Sequence, residues 1–97
     1  MPKRIEKAYN TKKMRRIGYL FQKKRLDVLK GSRDAFIADR SNLLFNGDDW
    51  ISSRYLNNIE NGYNLPSIEM LIKLSIALET DTVELFDSIY KILSEKD

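Results

Sequence analysis

The sequence predicts an all-α fold, a compact domain of five short helices behind a basic N-terminal arm. Apolar residues recur every three or four positions in several segments, which is the spacing of one face of a helix. Residues that can cap a helix precede most of these segments, and no segment shows the alternating pattern of a half-buried strand. A chain of 97 residues has the size of one small domain, so we expect a single core.

The first predicted helix begins at about Thr11 and ends at Gly31. Ile17, Phe21 and Val28 lie on one face at helical spacing. Arg25 falls on the same apolar side, where a charged group must either extend to solvent or find a partner.

The second and third predicted helices each follow a serine that can cap them. Ser32 precedes a segment whose apolar positions end at Asn46–Gly47, and Ser52 precedes a segment with Leu56 and Ile59 on one side. Gly62 fits the left-handed position just after a helix end. A β-hairpin at Asn61–Gly62 is disfavoured because no alternating runs flank it. The apolar positions of the second helix are Phe36, Ile37, Leu43 and Leu44.

The fourth helix follows Pro66–Ser67, and the fifth is predicted to start at Asp81 with Glu84 three residues later, an aspartate version of the capping box. Each carries an apolar face. The predicted face of the fourth helix is Ile68, Leu71, Leu74, Ala77 and Leu78, and that of the fifth is Leu85, Phe86, Ile89 and Leu93.

Composition removes several classes of protein. Cysteine and histidine are both absent, which excludes Cys/His zinc sites and histidine-based catalysis. The four glycines are scattered and form no phosphate loop, and the acidic turn at 46–49 lacks the ligand spacing of a calcium site. We therefore expect no enzyme, no cofactor and no metal. No apolar run has the length of a membrane span, so we expect no membrane association and a cytoplasmic location.

Charge divides the chain into two parts. Residues 1–33 hold 12 Lys+Arg and 2 Asp+Glu, whereas residues 34–97 hold 5 and 12. A strongly basic end favours contact with a polyanion, although such tails can also serve only solubility. We place a flexible basic arm at residues 1–13 and the helical domain at residues 14–97.

Two motifs resemble the lambda-repressor-like, Cro/CI-type (XRE-like) helix-turn-helix family. "IGYLFQKKR" (17–25) matches the first-helix pattern of an apolar–Gly pair followed by arginine. "LNNIENGYNLPSIEMLIKLSIALETDTVELF" (56–86) matches the family's Ile-Glu-x-Gly…Pro-Ser run, followed by an apolar helix and a capped helix that ends in Leu-Phe. The chain departs from the family at "DRSNLLFNGDDW" (39–50), which lengthens the connection before the recognition helix. "SRDAF" and "IENGYNLPS" also resemble the N-terminal domain of Rgg-type regulators.

The resemblance implies that residues 52–61 form the recognition helix in the major groove. The residue types fit that role, because arginine can pair bidentately with guanine and asparagine with adenine. Arg54 and Asn57 are the leading base-contact candidates. Asn58 and Asn61 can equally belong to a solvated face. The remaining DNA-contact candidates on this segment are Ser52, Ser53 and Tyr55.

Basic residues outside that helix are expected to contact phosphates. Arg33 stands where the family usually has glutamine, at the start of helix two. The candidates on the arm and the first helix are Lys3, Arg4, Lys12, Lys13, Arg15 and Arg16.

Glu60 is expected to point inward, since it lies four residues after Leu56 and next to Ile59. In the family the matching glutamate pairs with the first-helix arginine, so the resemblance implies a structural ion pair between Glu60 and Arg25.

The resemblance favours a sequence-specific, double-stranded DNA-binding transcriptional regulator from a bacterium or phage, acting in the cytoplasm or nucleoid. We expect a repressor that binds as a homodimer, with helix five as either the dimer surface or part of the core. The alternative is an antitoxin or adaptor that binds a toxin or a protein antagonist and regulates its own operon. The lengthened connection either closes over the core or forms a protein-contact surface.

Overall fold

The computed structural model describes residues 11–96, in which five helices and no strand are found. This confirms the all-α fold class. The helices are α1 (Lys12–Val28), α2 (Arg33–Leu44), α3 (Ser53–Glu60), α4 (Ile68–Ala77) and α5 (Thr82–Ser94). In α1 and α3 the buried residues lie on the facing sides of the two helices, which pack together at the centre of the domain, while α5 packs against α1 and α4.

Every helix begins with the same local device. The N-cap side chain accepts a hydrogen bond from the backbone N–H three residues later, which satisfies one of the free donors at a helix start. The five N-caps are Thr11, Ser32, Ser52, Ser67 and Asp81.

The start of α1 agrees with the predicted helix start at about Thr11, which is its N-cap, whereas its end does not agree with the prediction. The helix includes Lys12 and Lys13, which the predicted arm at residues 1–13 also contained. It stops at Val28 rather than at Gly31, because Leu29 has an extended backbone (φ −149°, ψ 115°) that cannot continue the helix. The remainder of the predicted arm, residues 1–10, lies outside the described residues.

The core takes apolar side chains from all five helices and from the connection before α3. Its largest fully buried members include Phe21, Phe36, Leu56 and Leu74. Within residues 11–96, every buried side-chain nitrogen or oxygen atom has a hydrogen-bond partner. In this part of the chain, burial therefore leaves no side-chain nitrogen or oxygen without a partner.

The predicted faces of α4 and α5 need a correction. Ile68 is 70% exposed and Phe86 is 51% exposed, and Leu93 is exposed as well. On α4 the buried stripe runs through Leu71 and Leu74. Ile68 is the first of a second row of residues, spaced four apart, on the exposed side of α4. This row lies on a different side of the helix from the buried stripe, because a step of four residues turns the helix by more than one full turn.

Of the stretch predicted to lengthen the connection, residues 39–44 belong to α2, and residues 45–52 join α2 to α3. This connection has a buried part and an exposed part. The rings of Phe45 and Trp50 stack with centroids 4.8 Å apart, and Trp50 meets the edge of Phe36 at 6.2 Å. The Trp50 indole N–H donates to the Ile37 carbonyl at 3.1 Å. These aromatic residues close over the core, whereas Leu43 at the end of α2 is 67% exposed.

Gly18 lets α1 approach the end of α3. A Cβ at Gly18 would lie 2.8 Å from the Ile59 carbonyl oxygen and closer still to the Glu60 carbonyl oxygen. Both obstacles are backbone atoms, so no side-chain rotation can relieve the clash. The absence of a side chain at Gly18 therefore fixes the separation of the two helices.

Replacing Gly18 with alanine should lower the free energy of unfolding by about 1–3 kcal/mol, because α1 must shift away from α3. Urea denaturation measures the change. Lys23→Ala, at an exposed position of the same helix, serves as the control and should stay within about 0.5 kcal/mol. A gain in stability for Gly18→Ala, the usual result in an open helix, would contradict the close approach.

Candidate nucleic-acid interface

Helix α3 has one apolar face and one polar face. Leu56, Ile59 and Glu60 are buried against the core. The opposite side presents hydroxyl, guanidinium and amide groups, and the first turn of the helix contains no acidic residue. An exposed polar face on a short helix held by a buried apolar face is the arrangement needed to present side chains to a groove.

The N-terminal turn of α3 is the most accessible part of this surface. Ser52, Ser53 and Arg54 are all exposed, and Ser52 caps the helix by accepting from the Tyr55 N–H at 3.0 Å. Arg54 forms no hydrogen bond or ion pair with any of residues 11–96. Its guanidinium can therefore turn outward to meet an acceptor.

Two asparagines on α3 are linked to each other. The Asn61 side-chain amide donates to the Asn57 carbonyl oxygen at 2.8 Å and to the Asn57 Oδ1 at 3.0 Å. These bonds orient the Asn57 side chain while leaving its own NH₂ group to donate. Asn61 thus acts at the C-terminal end of the helix, and Asn58 is half-buried beside it.

Tyr55 is tied into the scaffold. Its ring packs against the core, and its hydroxyl accepts a hydrogen bond from the Ser67 N–H at 3.1 Å. This contact joins the recognition segment to the start of α4. The Tyr55 hydroxyl, like the Asn57 Oδ1, therefore already has a hydrogen-bond partner within the fold.

The Glu60 carboxylate binds two arginines. Arg25 Nε donates to Oε2 at 2.6 Å and its Nη2 to Oε1 at 3.1 Å, and both side chains are almost fully buried. Arg33 Nε donates to Oε1 at 2.9 Å. Sequence reasoning paired Glu60 with Arg25 but assigned Arg33 to DNA alone, since no spacing signal connects the start of α2 with the end of α3.

A shallow groove runs between the first turns of α2 and α3. It places two predicted DNA-contact arginines, Arg33 and Arg54, on one surface with Asn57. Asp34, at the start of α2, contributes one negative charge to the same groove. The other lining residues are Ser32 and Ser53.

Several predicted phosphate contacts on α1 lie beside the end of α5. Arg16 forms two hydrogen bonds with Glu95, at 2.6 and 3.0 Å, and these bonds lower the pKa of the Glu95 carboxyl. Lys13 Nζ donates to the Leu93 and Glu95 carbonyl oxygens. The structure thus gives Lys13 and Arg16 a role in joining α1 to α5. Lys12 and Arg15 are exposed on the same end of α1.

A second buried arginine was not singled out from the sequence. Arg40, in α2, donates to Asp39 at 2.6 Å and to Glu79 at 2.9 Å, and these bonds raise its pKa. Glu79 follows the end of α4 and has a positive φ of 56°. Arg40 therefore links α2 to the turn after α4.

Residues 11–96 show neither a metal cluster nor a membrane span. They contain no group of three or more His, Cys, Asp or Glu residues that could hold a metal ion. No helix in this part of the chain is long and apolar enough to cross a bilayer.

Comparison with known proteins finds one similarity, to a family model. Residues 48–85, which contain α3, α4 and the start of α5, match the family model described as Helix-turn-helix. The match supports a similarity to Cro/CI-type helix-turn-helix proteins, a DNA-binding regulatory family, over this part of the chain. No curated protein and no solved structure matched the chain.

Replacing Glu60 with alanine should cost about 3–5 kcal/mol of unfolding free energy, because it leaves the buried Arg25 without its counter-charge. Thermal and urea denaturation measure the loss. Glu95→Ala is the matched control, since it also removes a carboxylate from an arginine pair, but at the exposed surface, where little stability depends on it. An unchanged thermal midpoint together with lost DNA binding would place Glu60 in the DNA interface rather than in the core.

Proposed function

We propose that the protein is a sequence-specific reader of double-stranded DNA that represses transcription by occupying promoter DNA. The observation that carries the proposal is the outer face of α3, where Arg54 is exposed and unpaired among residues 11–96 and Asn57 is oriented by Asn61. The cytoplasm or nucleoid, where the DNA lies, is the expected location.

Base reading is assigned to Arg54 and Asn57 of α3. The Arg54 guanidinium has the donor pair that matches O6 and N7 of guanine, and the Asn57 amide has the donor and acceptor that match adenine. Ser53 lies beside them, on the same exposed turn. Asn58 is half-buried and lies further along the helix, so we assign it a smaller contribution to base contact.

Phosphate binding is assigned to the cations and free backbone N–H groups around α3. Ser52 and Ser53 lie at the positive end of the helix, where an anion is stabilised. Lys12 and Arg15 are exposed on α1, and the basic residues 1–10 would add to the same contact. These contacts position the protein on the duplex, whereas the base contacts select the sequence.

Dimer formation is assigned to the outer surface of α4 and α5. Each helix exposes a row of large apolar side chains there, and burying such rows between two copies would remove them from water. On α4 the row is Ile68, Ile72 and Ile76, and on α5 it is Val83, Phe86, Tyr90 and Leu93. Two recognition helices would then meet half-sites about one helical turn apart.

The same exposed apolar rows support a second candidate function. An antitoxin or adaptor would use them to hold a toxin or another protein antagonist, and would regulate its own operon through α3. Exposed Leu43, on the separate surface before the connection, offers a further apolar contact. Mass measurement of the purified protein, alone and after co-expression with a neighbouring gene product, separates a self-paired dimer from a complex with a toxin.

Selection of binding sites from random duplex DNA tests the proposed function. The parental protein should enrich a palindromic site, because two symmetry-related recognition helices read two half-sites. Arg54→Ala should weaken binding to that site by about 1–3 kcal/mol and relax the preference at one base position.

Lys73→Ala is the control, since it removes an exposed cation from α4, away from the groove between α2 and α3. It should leave the selected sequence and the affinity nearly unchanged. Failure of the parental protein to enrich any sequence would contradict sequence-specific reading and would favour the protein-binding function.

A further inference from the structure

We propose that Glu60 is a positioning residue for DNA contact, which holds Arg33 by its Nε and directs the two terminal nitrogens of that guanidinium to a DNA phosphate. The proposal rests on the proposed function, because it assumes that the groove between α2 and α3 faces DNA. It assigns a second task to a carboxylate that otherwise belongs to the core.

Arg25 alone provides the counter-charge and two hydrogen bonds for the buried Glu60 carboxylate. Three of its nitrogens have partners, two on the Glu60 carboxylate and one on the Gly31 carbonyl oxygen at 3.0 Å. Its side chain is 5% exposed and that of Glu60 is 1% exposed. One arginine already neutralises this carboxylate, so a second guanidinium brings a positive charge with no counter-charge on Glu60.

Arg33 is that second guanidinium, and only part of it is used. Its Nε donates to Glu60, whereas Nη1 and Nη2 have no hydrogen-bond partner among residues 11–96. The side chain is 29% exposed. A planar guanidinium held at one nitrogen keeps two parallel donors for an anion, and it loses less side-chain freedom on binding than an unrestrained arginine does.

The position of Arg33 fits a phosphate rather than a base. It is the first residue of α2 and lines the groove that also contains Arg54 and Asn57, the proposed base-reading residues. Asp34 opposes an anion in this groove, but the two arginines outnumber it. A phosphate bound by Arg33 would therefore lie in the same groove as Arg54 and Asn57, beside the proposed base contacts.

A guanidinium can serve Glu60 and a phosphate at the same time, whereas an ammonium cannot do so with the same geometry. Lysine has a single nitrogen at the end of a flexible chain, and that nitrogen is drawn to the buried carboxylate. The Arg33→Lys substitution therefore keeps the charge and the contact with Glu60 while removing the two directed donors.

The test compares Arg33→Lys and Arg33→Gln with the parental protein. Thermal midpoints report the structural role, and affinities measured at several salt concentrations report the phosphate contact. We expect Arg33→Lys to keep a thermal midpoint close to the parental value while binding DNA about tenfold more weakly. Both substitutions should reduce the slope of log affinity against log salt by about 0.9, the value for one phosphate.

Lys73→Gln is the matched control for Arg33→Gln, because it removes the same charge from an exposed position on α4. It should leave the salt slope unchanged. Glu60→Gln, combined with Arg33→Lys, provides a double-mutant cycle in DNA affinity at a temperature where all four proteins are folded. The Arg33→Lys substitution should weaken DNA binding less in the Glu60→Gln background than in the parental protein. The reason is that the carboxylate is what holds the Arg33 guanidinium in place.

Two results would overturn the proposal. Parental affinity and slope in Arg33→Lys would show that any cation suffices, and a lower thermal midpoint with unchanged affinity in Arg33→Gln would show that Arg33 is structural only. Each measurement is made on the selected site and on an unrelated duplex, because a phosphate contact acts on both. If the parental protein binds the two duplexes equally, sequence-specific reading is contradicted. The phosphate contact of Arg33 is still tested in that case, because the effect of the Arg33 substitutions on affinity can be measured on either duplex.

Discussion

The buried carboxylate of Glu60 is the interaction on which the rest of the structure depends. It lies on the last turn of α3, where Arg25 of α1 and Arg33 of α2 both donate to it. Three helices therefore meet at one charged group that water does not reach. Because an isolated buried charge is costly, the ion pairs hold only while the helices keep these positions. The backbone contact at Gly18 fixes the same junction from the other side.

The junction of the three helices fixes the orientation of α3. The inner face of α3 is held in the core by Leu56, Ile59 and Glu60, so the outer face and the first turn of the helix are exposed to solvent. The stacked Phe45 and Trp50 rings close the connection between α2 and α3 onto the core, next to Ser52, the N-cap of α3. These two rings therefore hold the connection before α3 against the core.

The sequence predicts the fold well and the details of the surface less well. Caps such as Ser32 and Ser52 are local signals, so the helix starts follow from the residues themselves. The second partner of Glu60 is a contact between residues 27 positions apart, and no periodicity encodes it. The exposed row that begins at Ile68 resembles a core face in sequence, because helical spacing shows which residues share a side but not whether a neighbour covers it.

The most direct measurement is an NMR titration of the ¹⁵N-labelled protein with the selected duplex, following backbone amides and arginine Nε groups. If the inner face of α3 is held in the core and its outer face contacts DNA, large chemical-shift changes are expected for the amides of residues 52–58. The Nε signals of Arg33 and Arg54 should also shift. The Nε of Arg25, held in the core by Glu60, should change little. Shifts confined to α4 and α5, with the α3 signals unmoved, would contradict the assignment of α3 as the DNA-reading helix.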